Sequence, residues 1–432
     1  MHKMLTSLFI LLICQLGTNA QVQVNPELKQ LINQSFGYFP KLKEAENLIV
    51  TAEDKIELSR LGANPFVGAN AGYSYLAPVS KATLPINGGN QEVKFFPNHN
   101  YNATVNANYM LVDFGRLKAT IEKAKTDLQL AKDNMELVKS QLANQVATIY
   151  YNLVYLQKAI SIQDSVLQFL EENKKVVQSK IKDGEALKID LLNIQASIDN
   201  EINRKADLRN GLQKQMNLLN YTTGANAANG NQFDFTLQVA NAAAALDASV
   251  GNNLDFKLAK DRINQAAGDI AISKLQDKPS INLNGGVGFK NGYLPDIYNF
   301  QLNGVAGVSL QVPIYTGGRT KQQIKLQERM VQQQELALQS LNAGYKKDIA
   351  QALTDIQTNL ERIANTQSQI DQTKYAQQLA AIRFKNGVGT NLELTNASTN
   401  VQRAELSRLQ YQYQLCLSRL ELAKLMGYDY WK

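Results

Sequence analysis

The stretches LVDFGRLKA (residues 111–119) and PIYTGGRTK (residues 313–321) each end a run of alternating apolar and polar residues at a Gly-Arg pair. Each is followed by a long segment without proline. Alternation is typical of a strand with one apolar face, and a long proline-free segment permits a long helix. We therefore interpret each Gly-Arg pair as the place where a strand becomes a helix, with glycine supplying a backbone conformation that other residues resist.

The segments after the two pairs have the pattern of very long helices. None of the nine prolines lies between Pro97 and Pro279 or after Pro313, and glycine is absent from 116 to 183. From Leu117 to Leu142 the apolar residues recur at alternating spacings of four and three, which is the seam of a coiled coil. As one helix, residues 116–182 would extend about 100 Å.

Four other segments alternate strictly between apolar and polar residues, namely 66–76, 101–111, 281–289 and 300–312. Their polar positions are mostly Asn, Gln, Ser and Gly, with almost no charge. A length of about ten residues suits a tilted strand that crosses a bilayer. A soluble sheet packed on helices would explain one such strand, but four of them in two hairpins favour a membrane β-barrel, with outer-membrane lipid against the apolar face.

The first twenty residues, MHKMLTSLFILLICQLGTNA, have the pattern of a cleaved signal peptide. Their apolar run is too short to span a bilayer as a helix. Cys14 raises the alternative of a lipoprotein site, although the residue before it, Ile13, is not small.

Without this leader the chain keeps one cysteine, Cys416, and one histidine, His99. An internal disulfide and a metal site built on His and Cys are then excluded. A Ser/His/Asp or Cys/His catalytic set would need His99, which lies in a loop rich in Gly, Pro and Asn, and catalysis by carboxylates is left open. Lys and Arg are interleaved with Asp and Glu and form no clustered stripe, so nucleic acid is not an expected partner. We expect neither a cofactor nor enzymatic activity.

The sequence has the pattern of a tandem duplication. The segments KIKDGEALKIDLLN (180–193) and RFKNGVGTNLELTN (383–396) align without a gap, 203 positions apart, as do the two Gly-Arg pairs. Residues 43–65 align with 257–279 at a spacing of 214. Each half then comprises a helix, a β-hairpin, a helix of 67 residues, a glycine turn and a helix of 36 residues.

The predicted layout assigns every segment after the signal peptide to one protomer. The assignments are repeat 1 at about 40–220 and repeat 2 at about 254–426; barrel segments 65–114 and 279–315; helical-barrel segments 40–64, 115–220, 254–278 and 316–426; and collar segments 21–39, 221–253 and 427–432. Four strands do not close a barrel, and an open edge in lipid leaves backbone groups unpaired. A homotrimer with a 12-stranded barrel is predicted, because the eight strands of a dimer are too narrow for an open channel.

With its twofold repeat, its PIYTGGR junction (313–319) and the segment FKNGVGTNLELTNA (384–397), the chain resembles the TolC-like outer membrane efflux proteins. The resemblance implies a mixed α and β membrane protein: a trimeric barrel in the outer membrane of a Gram-negative bacterium that continues into a long periplasmic α-helical barrel of coiled-coil hairpins. It implies a passive exit duct of a tripartite efflux or type I secretion system. The duct docks on a periplasmic adaptor (a membrane fusion protein) and an inner-membrane transporter, and its cargo, whether drug, metal or polypeptide, is left open.

The resemblance also carries site residues over to this sequence. The adaptor-docking tips match Asp183, Gly184 and Glu185 in the first half and Asn386, Gly387 and Val388 in the second half. At the constriction of the periplasmic mouth, Glu393 and Asn396 match two acids of the family, and Asp190 and Asn193 hold the same places in the first half. Phe384, three residues before Gly387, belongs to the same constriction. The strand-to-helix junctions match Gly115, Arg116, Pro313, Gly317, Gly318 and Arg319.

At three positions the chain departs from the pattern of the family, and the first is the neutral Asn396 in place of a mouth acid. Phe384 replaces a hydroxyl-bearing aromatic residue, and Gly389 replaces an arginine, so the family's closing bonds are not expected in this form. A second hypothesis from a different class is a periplasmic coiled-coil scaffold or adaptor without a membrane barrel. That hypothesis predicts a single helical hairpin and no strands with a lipid-facing side.

Overall fold

The computed structural model describes residues 24–86, 88–230, 232–237, 239 and 241–432, so the predicted signal peptide and Cys14 lie outside the described residues. In chain order the elements are α1 (Pro26–Tyr38), α2 (Pro40–Leu61), β1 (Phe66–Tyr75), β2 (Lys81–Ile86), β3 (Gly89–Lys94), β4 (His99–Val112), α3 (Arg116–Lys182), α4 (Lys188–Thr223), α5 (Ala242–Asn252), α6 (Leu254–Lys274), β5 (Ser280–Lys290), β6 (Gln301–Gln311), α7 (Arg319–Lys385) and α8 (Asn391–Leu425).

The two longest helices, α3 and α7, each contain 67 residues. Both begin at the arginine of a Gly-Arg pair and end two residues before a glycine. Basic residues occupy the last turn of each, where they interact favourably with the helix dipole. The return helices α4 and α8 contain 36 and 35 residues. The spacing of proline and glycine in the sequence therefore located the helix ends to within a few residues.

The alternating segments form one antiparallel sheet in the order β1-β4-β5-β6. At its centre β4 pairs with β5, and this pairing joins the two hairpins. Asn108 lies opposite Phe66 of β1 on one side and opposite Asn284 of β5 on the other. The outer strands β1 and β6 each have a single partner among the described residues, so each leaves one backbone edge unpaired.

The strand register places most of the apolar side chains on one face of this sheet. Tyr73 lies opposite Tyr101, Val105 opposite Val287, and Leu283 opposite Val308. The other face carries small and amide side chains, and Asn284 Nδ2 donates to Ser309 Oγ at 3.1 Å. Because side chains alternate along a strand, one register places all four apolar sets on the same side.

One correction concerns residues 77–98, whose polar residues, glycines and prolines predict a loop between the first two strands of the larger sheet. The structure shows a second sheet there, the hairpin of β2 and β3. Lys81 pairs with Glu92 across it at 3.0 Å, and Gly88 turns the chain with a φ of +81°. Pro85 interrupts the apolar pattern of β2, but a proline is compatible with an edge strand of a two-stranded sheet.

The chain divides into two compact units. One contains the described residues up to Glu46 together with Asp133–Leu258 and Leu338–Lys432, and the other contains Asn47–Lys132 and Ala259–Ala337. The second unit includes the sheet. The first includes both hairpin ends and three apolar cores, of which the largest is centred on Tyr150, Tyr151 and Leu153 of α3. No helix in the described part of the chain combines the length and apolarity needed to cross a bilayer.

The three segments assigned to a collar contact one another in the first unit. Asn25 Nδ2 donates to Asp234 Oδ2 at 2.8 Å, and Lys29 Nζ donates to the carbonyl of Lys432 at 2.7 Å. The rings of Phe36 and Trp431 meet edge to face, with centroids 6.1 Å apart. Segments distant in the sequence thus share one core, which composition alone did not show.

Candidate functional site

The first hairpin end is the turn between α3 and α4. Gly184 adopts a φ of +78°, which is the left-handed region that favours glycine. The amide of Glu185 donates to the carbonyl of Lys180 at 2.7 Å, as does the amide of Ala186 at 3.2 Å. These bonds satisfy carbonyls that the end of α3 would otherwise leave free, as in other glycine-terminated helices.

The second hairpin end, between α7 and α8, repeats this backbone pattern 203 positions later. Gly387 has a φ of +75°, and the amides of Val388 and Gly389 both donate to the carbonyl of Arg383 at 3.0 Å. The hydroxyl of Thr390 accepts a bond from the amide of Glu393 at 3.2 Å and so caps the start of α8. The two tips therefore share one backbone geometry.

Their side chains differ. At the first tip, Lys180 Nζ lies 2.9 Å from Glu185 Oε2 and 5.8 Å from the centre of the Phe384 ring. The hydrogen bond from Lys180, together with its positive charge, lowers the pKa of the exposed Glu185 carboxyl. At the position equivalent to Lys180, Arg383 is exposed and donates through Nη2 to the carbonyl of Val388 at 3.2 Å.

Phe384 joins the two hairpins through a buried apolar cluster. It packs with Leu170, Val177, Ile194 and Leu394, so all four long helices contribute to this core. Its ring is 7% exposed in the single chain. The residue assigned to the constriction by resemblance thus lies inside the hairpin core, where a ring without a hydroxyl leaves no polar group unpaired.

The two candidate mouth acids occupy the first turns of the return helices. The carboxylate of Asp190 accepts a bond from the amide of Leu187 at 3.1 Å. Glu393 Oε2 lies 3.9 Å from Arg383 Nε, and both side chains are more than half exposed, so this pair is weak and screened by solvent. Arg383 is a partner for Glu393 that the sequence analysis missed. Asn193 and Asn396 are exposed three residues after the acids.

A buried amide pair provides a second link between the hairpins. Asn173 Nδ2 of α3 donates to Asn391 Oδ1 of α8 at 3.0 Å, and Asn391 Nδ2 reaches the carbonyl of Asp190 at 3.5 Å. Both asparagines are 4% exposed. Since a buried amide without a partner is costly, this pair fixes how α8 lies against α3.

The first strand-to-helix junction depends on Asp113. Its carboxylate accepts bonds from the amides of Gly115 and Leu117 and so caps the start of α3. Phe114 and Gly115 both have positive φ, at 54° and 95°. The second junction has glycine at both equivalent positions, Gly317 and Gly318, with φ of 64° and 74°. Pro313 precedes that turn and lies outside β6.

The residues that could bind a metal ion or act as a nucleophile lie apart from one another in the described part of the chain. No group of three or more His, Cys, Asp or Glu residues is placed to hold a metal ion among the described residues. Cys416 is a free, buried thiol, and burial raises its pKa, so it is unreactive. His99 lies in the sheet, where its Nδ1 is 3.0 Å from the hydroxyl of Tyr73.

The sequence matches the family model of the outer membrane efflux protein over residues 31–225 and 245–428. It is 24% identical over 343 residues to the toxin and drug export protein A of Aggregatibacter actinomycetemcomitans, covering 76% of this chain and 71% of the relative. It is 20% identical over 337 residues to the cation efflux system protein CusC of Escherichia coli strain K12, covering 76% of this chain and 73% of that protein.

The fold is also that of solved outer membrane channels. The structure superposes on the outer membrane protein VceC of Vibrio cholerae with a TM-score of 0.73 and 20% identity, covering 93% of this chain and 96% of VceC. These structures confirm the predicted fold of an outer membrane efflux channel, while the trimer, the 12-stranded barrel and the tandem repeat stay predictions. The hypothesis of a scaffold with one helical hairpin is wrong, because the chain has two hairpins and a four-stranded sheet.

The amide pair predicts coupled effects of substitution at the hairpin ends. Asn391→Leu alone leaves the Nδ2 of Asn173 buried without its acceptor, at a cost of about 1–3 kcal/mol in the free energy of unfolding. The double variant Asn173→Leu with Asn391→Leu should lose less than the sum of the two single variants. Urea titration of the purified protein measures all three, with the exposed Asn200→Leu as control. Strict additivity would contradict the role assigned to the pair.

Proposed function

This chain belongs to the outer membrane efflux protein family, and we propose that it serves as the passive exit duct of a tripartite efflux or type I secretion system. The family consists of efflux channels rather than enzymes, and its members act in the outer membrane of Gram-negative bacteria. The observation that carries the proposal is the four-stranded sheet with one apolar face and one mostly polar face that carries almost no charge. Such a sheet suits contact with lipid on one side and with water on the other.

Three copies would form the duct. Each copy supplies four strands and leaves one backbone edge of β1 and one of β6 unpaired. In lipid such edges are too costly to leave open, so pairing of β6 with β1 of the next copy closes a 12-stranded barrel. Rotational symmetry closes the ring of helical hairpins at the same time. The two 67-residue helices of each copy, paired with their return helices, form the periplasmic helical barrel.

The hairpin ends would contact the adaptor. The tip residues Asp183, Gly184, Glu185, Asn386, Gly387 and Val388 are all exposed, and the two tips share one tight backbone turn. Both tip glycines have positive φ, and no atom lies within 4 Å of the place that a Cβ would occupy, so the backbone is open to a docking protein. The inner-membrane transporter, reached through the adaptor, would supply the energy for export.

The acids Asp190 and Glu393 would line the periplasmic mouth, with Asn193 and Asn396 one helical turn further along. Each acid would recur three times around the axis of a trimer. A ring of carboxylates attracts cations and slows anions. Phe384 would support this constriction from the hairpin core, and Arg383 would hold Glu393. The relatives named for the export of toxins, drugs and cations leave the class of cargo open.

Substitutions on the two sides of β4 test the membrane sheet. Val105 lies on the apolar face and Asn106, its neighbour, on the polar face. Val105→Arg should cost about 2–4 kcal/mol near the middle of the membrane and reduce the amount of assembled protein in outer-membrane fractions. Asn106→Arg should leave assembly intact and change single-channel conductance in a planar bilayer. Equal assembly defects in the two variants would refute the assignment of the faces.

A bulky substitution at one tip tests docking. Gly387→Trp places a large side chain where an adaptor has to approach the backbone, and it also strains a residue with a φ of +75°. We expect export to fall at least tenfold while the yield of trimer in the outer membrane stays at the wild-type level. Asn200→Trp, on the exposed surface of α4, is the control. Loss of the trimer itself would show that Gly387 serves folding.

Neutral replacements test the acidic mouth. Glu393→Gln together with Asp190→Asn removes up to six negative charges from a trimer while preserving size. We expect reversal potentials across a salt gradient to show lower cation selectivity, and block by divalent ions added on the periplasmic side to weaken. Unchanged selectivity and block would place both acids on the outer surface of the protein.

A further inference from the structure

Arg116, the arginine of the first Gly-Arg pair, contacts three backbone carbonyls. Its Nη2 lies 3.3 Å from the carbonyl of Leu275, 3.4 Å from that of Gln276 and 3.3 Å from that of Lys278. These carbonyls follow the end of α6, where the helix dipole places partial negative charge. Arg116 is the first residue of α3, where a positive charge is unfavourable for its own helix. The contact with the carbonyls offsets that cost.

Arg319 occupies the same position in α7 but lacks this contact. It is the first residue of the helix and is exposed, and none of the described residues accepts a hydrogen bond from its guanidinium group. The next residue, Thr320, donates through Oγ1 to Asp277 Oδ1 at 2.7 Å. The segment 275–278 is therefore contacted by the starts of two helices, by Arg116 of α3 and by Thr320 of α7.

The counterpart of that segment is residues 61–64, which lie 214 positions earlier. The amide of Asn64 donates to the carbonyl of Leu61 at 2.9 Å, as the amide of Lys278 does to that of Leu275 at 3.2 Å. Leu117, which corresponds to Thr320, packs against Gly62: its Cδ1 is 3.4 Å from the place that a Cβ on that glycine would occupy. One of the two helix contacts is thus present, and the arginine contact is missing.

The strands of the larger sheet correspond to one another through the same two spacings of the repeat. Asn108 of β4 pairs with Phe66 of β1, and Gln311 of β6 pairs with Ser280 of β5. Gln311 lies 203 positions after Asn108, and Ser280 lies 214 positions after Phe66, which are the spacings of the repeat. β6 therefore corresponds to β4, and β5 corresponds to β1. Ser280, on a strand with partners at both edges, is 8% exposed, whereas Phe66 is 71% exposed. The side of β1 that would receive a strand like β4 is open.

We propose that β6 of one copy pairs with β1 of the next copy in the way that β4 pairs with β5 within the chain. In the same assembly Arg319 contacts the segment 61–64 of the next copy, as Arg116 contacts the segment 275–278 within the chain. Arg319 then donates to the carbonyls of Leu61, Gly62 and Asn64 of the next copy. Ala107 pairs with Gly285 within the chain, so Leu310 pairs with Ala71 of the next copy. This inference rests on the proposed assembly of several copies and adds its register and its arginine contact.

Exposed side chains beside β6 support the inference. Within the chain β4 continues to Val112, whereas β6 ends at Gln311. Leu111 and Val112 are 46% and 41% exposed, but their counterparts Ile314 and Tyr315 are 95% and 86% exposed. Large apolar side chains beside an open strand edge are a liability in a single chain. Placement of residues 312–315 along the next copy covers both side chains, and Pro313 contributes only its carbonyl to the strand pairing.

Disulfide cross-linking tests the register. In the proposed pairing, Leu310→Cys and Ala71→Cys of neighbouring copies have Cα atoms within the range of about 4.4–6.8 Å that a disulfide needs. The matched control is Leu310→Cys with Tyr75→Cys, displaced by about 13 Å along β1 on the same face. The purified double variants are oxidised with copper–phenanthroline and run on non-reducing gels. Wild-type protein, whose Cys416 is buried, is treated in parallel.

We expect the first pair to give linked dimers and trimers that reduction abolishes, and the control pair to give at least tenfold less product. Native mass measurement of the same samples reports assembly independently. If trimers form and the control pair links as well as the first pair does, the register is wrong while the proposed exit duct stands. If no assembly forms, the proposed function and this inference both fail.

A second variant tests the arginine contact. Arg319→Ala should lower the temperature at which the assembly separates into single chains by several degrees, because the proposed contact joins two copies. Removal of a positive charge from the start of α7 should stabilise that helix, so a lower separation temperature reports the loss of the contact between copies. Arg329→Ala, an exposed arginine on the same helix whose bond is to Gln332, is the control. Equal temperatures for the Arg319→Ala and Arg329→Ala assemblies would overturn the contact.

Discussion

A strand that crosses a bilayer must pair both of its backbone edges, because lipid offers neither donors nor acceptors. In this chain only β4 and β5, among the strands of the described sheet, have a partner on each side, and their pairing joins the two halves of the sequence. That central pairing aligns the two hairpins, so that the apolar residues of all four strands lie on one face of the sheet. The helices α3 and α7 follow β4 and β6 in the chain and begin a few residues after those strands end.

The hairpin ends of the two halves share one backbone geometry but differ in their side chains. The tips have the same hydrogen-bond pattern, yet the first has a buried lysine bonded to Glu185, and the second has an exposed arginine beside Glu393. Phe384 inserts from the second hairpin into a core shared with the first. A partner that docks on the hairpin ends therefore meets two tips of similar shape and different charge, which gives it a way to distinguish them.

Charge is distributed unevenly between the structural elements. The polar face of the sheet consists mostly of Asn, Ser, Thr, Gln and Gly, and Phe66, Met110 and Val305 also lie on it. Lys290 is the one charged side chain on this face among the described strand residues, so the face offers hydrogen bonds with little fixed charge. The acids with assigned roles lie at the starts of α4 and α8 instead. A neutral wall interacts weakly with cargo of either sign, and an acidic ring favours one sign. In the proposed duct, selection by charge is thus a property of the hairpin ends rather than of the sheet.

The sequence by itself determined the long helices, the four strands of the larger sheet and their order along the chain. Proline and glycine fixed the ends of α3 and α7, and alternation fixed the four strands and their two faces, because both signals act over neighbouring residues. Alternation failed at β2 and β3, where Pro85 masks the pattern. Only the tertiary structure decided which distant groups meet: the bond between Asn173 and Asn391, the burial of Phe384 and the three carbonyls around Arg116. Such contacts depend on how helices and strands separated by a hundred residues or more pack, and no local pattern encodes that packing.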